Sequence, residues 1–311
     1  MGDEAHPLLS KLAYMTTTFG QPNLGLSDTQ CSDLSRSVDA IVYNSWRLDF
    51  GLALKSFDPF LQALQDLIRL SASSTKSARI VFISSQSSVA RVAREGIAPE
   101  APVHDALAAP NFGYAQSKLV AERVLALSGV AASVIRVCQL GGPTSAYPQE
   151  TWAEQRWLSD MIRTSKTLGC APEGVSRIDW APVDSAASAI HDVIVSPTPG
   201  QEQEQIQFFN LISPSPQPWT ASLKVLRDKL GVHDTVPLRD WVAKLRGLRE
   251  KPMAKDVADL PALKMLDYWE AAGDGLEGAE WETENMRRVS RTEIPCVNLE
   301  MVEGWLADWN L

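Results

Sequence analysis

The chain has 311 residues, 45% apolar and 22% charged, which leaves room for one large α/β domain or two small ones whose core needs no disulfide or metal. Its 29 Lys and Arg stand against 38 Asp and Glu, a net charge of −9 that argues against nucleic acid and anionic membrane surfaces as partners. Cys31, Cys138, Cys170 and Cys296 contain no C-x-x-C, and His6, His104, His191 and His233 show no paired spacing. Reduced thiols in the cytoplasm and no metal site are therefore expected. No apolar run is long enough to span a membrane, and MGDEAHPLLSK lacks the basic and apolar regions of a secretory signal.

Lys11–Thr16 is a candidate strand, followed by the turn-rich QPNLGLSD. Val38–Tyr43 (VDAIVY) reads as a strand. Asp58-Pro59 sets up a helix, with Asp58 as N-cap and Pro59 in the first turn, where a missing N–H costs nothing. Phe60, Leu61, Leu64, Leu67 and Ile68 then recur at helical spacing and make one apolar face. Ile80–Ile83 is a continuous apolar run, the pattern of a strand buried on both faces of a parallel sheet. Tyr114–Leu127 reads as a helix and Val134–Val137 as another buried strand.

Alternating strands and helices through the first half predict βαβ units. An open parallel sheet receives its ligand at the carboxyl ends of its strands, here just after Tyr43, Ile83 and Val137. In the second half, QEQEQ (201–205) and ISPSPQPW (212–219) mark loops around a short strand, Ile206–Leu211, and the remainder reads as helices with Trp-rich faces. The ten tryptophans either line a surface or fill a core. The expected organisation is an α/β domain over 1–195 and a smaller, mainly helical lobe over 196–311, with contributions from 145–180, packed over the ligand edge of the sheet.

Tyr114-Ala-Gln-Ser-Lys118 is a Y-x-x-x-K, which a helix places on one face a turn apart. The cation is expected to favour phenolate and lower the Tyr114 pKa towards the range of a general acid. Ser84-Ser85-Gln86-Ser87-Ser88 follows the buried strand directly, where a hydroxyl can hydrogen-bond a carbonyl oxygen while Tyr114 protonates it. Each piece has a plainer reading, since serines after a strand usually make a turn or a cap and a Tyr/Lys pair can sit on a helix surface. Together at one sheet edge they point to carbonyl chemistry.

FISSQSSV, GYAQSKLVAERVL and VIRVCQLGGPT resemble the extended short-chain dehydrogenase/reductase family. Within it they are most similar to the thioester reductase domains, with a male-sterility-type NAD-binding domain, that end polyketide, peptide and adenylate-forming synthetases, fungal ones above all. QPNLGLSD, VDAIVYNSWRLDFGLALKSFDP, ETWAEQRWLSDMIRTSKTLG, IDWAPVD, PALKMLDYWE and VEGWLADWNL extend the resemblance from Leu12 to Leu311. It implies a Rossmann-like parallel sheet with a C-terminal substrate lobe. It also implies NAD(P)H-dependent reduction, in secondary metabolism, of an acyl thioester on the phosphopantetheine arm of a carrier protein, releasing an aldehyde or an alcohol. NADPH is the implied donor, with NADH left open.

By position, Ser85 resembles the family's catalytic Ser/Thr, with Ser87 the second choice, and Tyr114 resembles its proton donor. Lys118 resembles the residue that holds the nicotinamide ribose and lowers the tyrosine pKa. Asn44 falls where the family contacts the cofactor near its ribose, and Gln139 where the chain passes the nicotinamide. Asn44 reads equally as an amide capping its own strand end, and Gln139 as a loop polar residue. Trp152, Trp157 and Trp180 match an aromatic set on the acyl or carrier-arm side, with core packing the competing reading for each. His104 and His191 have no partner that would make them catalytic.

The family also opens with a strand, a glycine-rich turn and a helix whose N-terminus receives pyrophosphate, glycine being needed for close approach of backbone to phosphate. QPNLGLSD corresponds to the segment after the third strand of that pattern, so the sheet is expected to be incomplete, N-terminally truncated, with an exposed edge at Val38–Tyr43. Thr18 stands where the family places an Asp towards adenine. One G-x-G-x-x-G occurs, at 273–278, but it follows no apolar strand and sits among acids, so it is rejected as a phosphate loop. Two expectations follow. The chain is a thioester reductase, or a reductase of acyl-CoA or free carbonyls, supplied with its carrier in trans; or it is a catalytically impaired remnant that binds the acyl or carrier group.

Overall fold

A computed structural model describes residues 11–144, 151–175, 177–197, 205–220, 223–225, 231–249, 260–272, 279–307 and 309. Ser27 opens helix α1 (Asp28–Ser37) with a capping box, its hydroxyl accepting from Gln30 N while Gln30 Oε1 accepts from Ser27 N. Strand β1 (Ala40–Tyr43) follows, then helix α2 (Asp58–Ala72). The α2 cap differs from the expectation. A 3₁₀ turn at Leu54–Phe57 runs directly into the helix, so Phe57 is the N-cap and Asp58 and Pro59 lie in the first turn. Lys11–Thr16 forms no strand and is exposed, because no described strand lies beside it to complete its hydrogen bonds.

Strand β2 (Arg79–Ser85), helix α3 (Gly113–Ser128), strand β3 (Ala132–Val137) and strand β4 (Ile206–Leu211) complete the main sheet. Its order is β1-β2-β3-β4, with every pair parallel. The period of two sorts the strand residues onto two faces. Ile80, Phe82, Val134 and Phe208 pack with Leu64 of α2 and Ala121 and Leu125 of α3. Val81, Ile135, Val137, Phe209 and Leu211 pack on the other face with Ala186, Ala189 and Val193. That second face is covered by helix α5 (Val183–Val195), which follows helix α4 (Arg156–Leu168) in the chain. Among the described residues β1 is paired on one side only, and Val42 on it is 46% exposed.

The division expected between residues 195 and 196 is crossed by the sheet, while the 145–180 stretch expected to contribute to the second lobe lies before it. Strand β4 lies beyond it yet belongs to the sheet, paired residue for residue with β3. The segment around Trp152–Trp180 lies before it yet packs into a separate core with helices α6 (Leu238–Arg249), α7 (Leu266–Ala272) and α9 (Leu299–Ala307); helix α8 (Glu284–Val289) instead joins the second face of the sheet. Eight of the ten tryptophans are in that core, which settles most of them as packing residues. Gly141 and Gly142 let it close on the sheet, since the face of Trp305 occupies the space a Cβ would need at either position.

Candidate active site

The carboxyl ends of β1, β2 and β3 open into a cavity of about 370 Å³. Ser85 ends β2, and its Oγ accepts from Ser87 N at 3.2 Å and lies 2.9 Å from Ser87 Oγ. Tyr114 stands in the first turn of α3 and shares a hydrogen bond with the Ser85 side chain. Gly113 makes that placement possible. A Cβ there would collide with the carbonyl oxygen of Leu52, so only glycine lets the helix start this close to the 52–54 segment. One turn on, Lys118 is 3% exposed; its Nζ donates to the Ile83 carbonyl at 2.6 Å and lies over the rings of Phe82 (4.6 Å) and Trp46 (4.7 Å).

Burial sets the protonation of both helix residues. The Tyr114 phenol is pushed up to about 12 by loss of water, with the Ser85 hydrogen bond pulling the other way. This corrects the expectation of a lowered pKa, for a physical reason. Lys118 spends itself on the Ile83 carbonyl and two aromatic faces, with the Tyr114 ring centroid 5.8 Å away. Lys118 itself is pulled down to about 7 by burial, which Glu122 partly opposes. Tyr114 therefore holds its proton at neutral pH and is a donor in reserve.

Behind these groups lies a saturated network. Glu122, a turn beyond Lys118, accepts from Ser84 Oγ (2.5 Å), Ser88 Oγ (2.6 Å), and Arg136 Nε (3.0 Å) and Nη2 (2.7 Å). Arg136 also donates to the carbonyls of Pro99 and Ala101 and stacks over Phe208 at 4.9 Å. Both charges are wholly buried and fully paired, fixing the serine turn from below. Spacing held a signal for this, because Tyr114, Lys118 and Glu122 repeat every four residues on one helix face.

The other predicted residues also reach the cavity. Asn44 lines it from the end of β1, its side chain exposed. Gln139 lines it beyond β3, but its amide is engaged: Oε1 accepts from Trp157 Nε1 at 2.8 Å, and Nε2 donates to Leu140 O and Gln155 Oε1. Trp157 and Trp180 serve core and cavity wall together, whereas Trp152 stacks on Trp309 at 4.6 Å within the core. His104 and His191 do not line this cavity. The 273–278 glycine motif lies outside the described residues, which contain no group of three or more His, Cys, Asp or Glu able to hold a metal.

Five wall residues were not anticipated. Trp46 donates to Ser117 Oγ, and Phe50 meets Tyr114 edge-on at 5.3 Å. Tyr268 of α7 stacks on Phe50 at 4.7 Å, and Trp281 closes the same side. Asp179 is the fifth, and it is the one carboxyl among the described lining residues.

Comparison with known proteins agrees with this architecture. Residues 2–190 match the male sterility protein family of NAD-binding domains, and the chain belongs to that family. It is 30% identical to a carboxylic acid reductase of Neurospora crassa over 319 residues, which cover 97% of this chain and 30% of that protein. Among solved structures it is similar to the terminal R domain from the myxalamid PKS-NRPS biosynthetic pathway, with a TM-score of 0.77 at 21% identity over 96% of this chain and 75% of that one. It is also similar to a thiolation-reductase di-domain from an archaeal non-ribosomal peptide synthetase, with a TM-score of 0.65 at 15% identity over 90% and 59% of the two chains. These likenesses are of fold, and they place the chain among R-domain, extended short-chain dehydrogenase/reductase architectures.

The residues present fit the nicotinamide end of such a cofactor. As an ammonium, Lys118 uses one N–H on Ile83 and keeps two for hydroxyl oxygens beside Tyr114. Asn44 offers a free-standing amide at the neighbouring strand end.

Proposed function

We propose that the chain reduces an acyl thioester, borne on the phosphopantetheine arm of a carrier protein, to an aldehyde or alcohol in secondary metabolism. The observation that carries this reading is the convergence of Ser85, Tyr114 and Lys118 on the floor of one apolar cavity at the carboxyl edge of a parallel sheet. NADPH is the proposed donor, and when bound it supplies hydride to the thioester carbonyl carbon. Ser85 and Tyr114 hold the carbonyl oxygen and stabilise the charge that develops there. Tyr114 then delivers its phenolic proton to that oxygen, and collapse of the tetrahedral adduct releases the thiol. Lys118 and Asn44 position the ribose, and the aromatic walls exclude water from the acyl chain.

Support for a carrier-bound substrate comes from the relatives, one of which is a thiolation-reductase di-domain. A cytoplasmic setting is supported by the four free cysteines. Among the described residues, no helix is long and apolar enough to cross a membrane.

The test is turnover by the purified chain, using S-octanoyl-pantetheine and then an octanoyl-loaded carrier protein supplied in trans. NADPH and NADH are compared by loss of the reduced nicotinamide absorbance, and the aldehyde is trapped as a hydrazone. Hydrazone formation coupled to NADPH loss is the expected result. A folded chain that binds neither cofactor and forms no aldehyde overturns the reading.

A further inference from the structure

The buried carboxylates of this protein fall into contrasting kinds. Glu122 has four donors, and Glu100 accepts backbone N–H groups from Asn210, Asn285 and Met286. Asp160 of α4 has a buried Oδ2 without a partner but does not line the cavity, and Asp179 differs from all three in combining an unpaired oxygen with a place on the cavity wall. Its Oδ1 is buried with no hydrogen-bond partner among the described residues, although its backbone oxygen accepts from Ser213 N at 3.0 Å. It stands on the cavity wall with Val175, Trp157 and Trp180, beside Cys138 and Gln139.

An acceptor of this kind on an apolar ligand wall needs a donor, and neither Trp157 nor Gln139 has one to spare, while Arg177 acts on the carboxyl through its charge. Trp157 gives its indole N–H to Gln139, and the Gln139 amide N–H groups go to Leu140 and Gln155. Asp179 lines the cavity while Oδ1 itself is covered, so a donor carried by a ligand reaches that oxygen when the carboxyl turns towards the cavity. A site with a buried acceptor discriminates strongly, because a ligand lacking the donor leaves the acceptor unpaired inside a water-poor pocket.

We propose that Asp179 is the polar anchor of the acyl pocket, receiving a hydroxyl or ammonium carried on the acyl chain and so selecting substituted acyl thioesters over plain hydrocarbon ones. This rests on the thioester reading above, and it adds the substrate class. Burial pushes the Asp179 carboxyl up to about 6, which leaves it largely ionised and a strong acceptor at neutral pH.

The test needs no turnover, because Trp157 and Trp180 flank Asp179 and report occupancy by fluorescence. The full chain without cofactor is titrated with pantetheine, with S-octanoyl-pantetheine, and with octanoyl-pantetheines carrying a hydroxyl or an amine at successive carbons. At least one substituted thioester is expected to bind about tenfold or more tighter than the octanoyl compound, a difference of ~1.4 kcal/mol. In Asp179→Leu that preference should fall to within about twofold, while Asp179→Asn, which keeps an acceptor oxygen, should retain the hydroxyl preference and lose the amine preference. Circular dichroism establishes that each variant is folded.

Equal binding of all the thioesters to the unmodified chain overturns the inference and leaves the thioester reading standing. So does a preference that survives in Asp179→Leu. Weakening of pantetheine itself by Asp179→Leu places the donor on the arm and also overturns the assignment to the acyl chain. Failure of every thioester to bind the folded chain overturns the reading and the inference together.

Discussion

The floor and the wall of the cavity are built on opposite terms. The floor is made by β2, β3 and α3, and the Glu122–Arg136 pair behind it is buried with both carboxylate oxygens engaged, although Lys118 has only the Ile83 carbonyl and Gln86 Oε1 on the lining has no partner. The wall comes from the tryptophan-rich lobe and is left partly unsatisfied: Asp179 Oδ1 and Trp281 Nε1 line the cavity without partners, and Trp241 and Trp269 behind them have unpaired indole N–H groups. A saturated network fixes positions to a fraction of an ångström, which is what the proposed proton delivery by Tyr114 requires. An unsaturated wall costs stability until a ligand supplies the missing groups. On the proposed function, the contrast assigns chemistry and selectivity to different halves of one pocket.

The largest effect that would sharpen this division is on the chemistry. Tyr114→Phe is expected to lower kcat by about a hundredfold to ten-thousandfold while leaving the cofactor Kd within about twofold, since the ring still packs on Phe50 and only the proton is lost. Steady-state kinetics and a cofactor titration check the two halves of that statement. A kcat within tenfold of the parent would mean that the floor is not where the proton comes from.

Next in size is Glu122→Ala. It strands the Arg136 guanidinium, which is fully buried, and an uncompensated buried charge costs about 3–5 kcal/mol. It also removes the carboxylate that draws the Lys118 pKa upward, so Lys118 should titrate below its present value of about 7. Urea denaturation reads the first effect and the pH profile of cofactor affinity the second. A loss below about 1 kcal/mol would show that the floor is not held by this pair.

Much of the floor was legible in the sequence, and the wall was not, for reasons that lie in the chain itself. Ile80–Ile83 and Val134–Val137 announce buried parallel strands by continuous apolar runs, and Ile206–Leu211 is bracketed by its loops. Ser85, Tyr114 and Lys118 are within 34 residues of one another and are brought together by one strand and one helix. The wall joins Phe50 to Tyr268 and Asp179 to Cys138 across long stretches of chain, and no local period encodes such a meeting. Lys11–Thr16 has strand-like composition, but a strand exists only beside a partner. The Tyr114 pKa was misjudged because spacing reveals the neighbouring cation and hides the loss of water.

A smaller effect tests the wall. The Asp179 carboxyl, raised to about 6 by burial, binds its proton more tightly in the folded chain than in the unfolded one. Its stabilising contribution is therefore complete below the ordinary carboxylate range and is lost as pH rises through about 6. Asp179→Asn removes that loss, so the variant should be about 2 kcal/mol more stable than the parent above about pH 7, with the advantage shrinking towards about pH 4. Thermal melts across that range decide it. A pH-independent difference would mean that the carboxylate already has a partner.

The smallest effect returns to the floor and carries the opposite sign. The Ser88 hydroxyl is fully buried, 2.6 Å from Glu122 Oε1 and 2.8 Å from the Ser85 carbonyl oxygen. Ser88→Ala takes one donor from a carboxylate that has three others, leaving Ser84 and both Arg136 nitrogens in place. The expected cost is about 1 kcal/mol, read as a lower urea midpoint with an unchanged slope. Deleting a donor at a filled carboxylate should thus destabilise, while deleting the charge at an unfilled one should stabilise. If Ser88→Ala were neutral, Arg136 and Ser84 alone would be satisfying Glu122. The floor would then be over-supplied with donors, and the difference between it and the wall would rest on Asp179 alone.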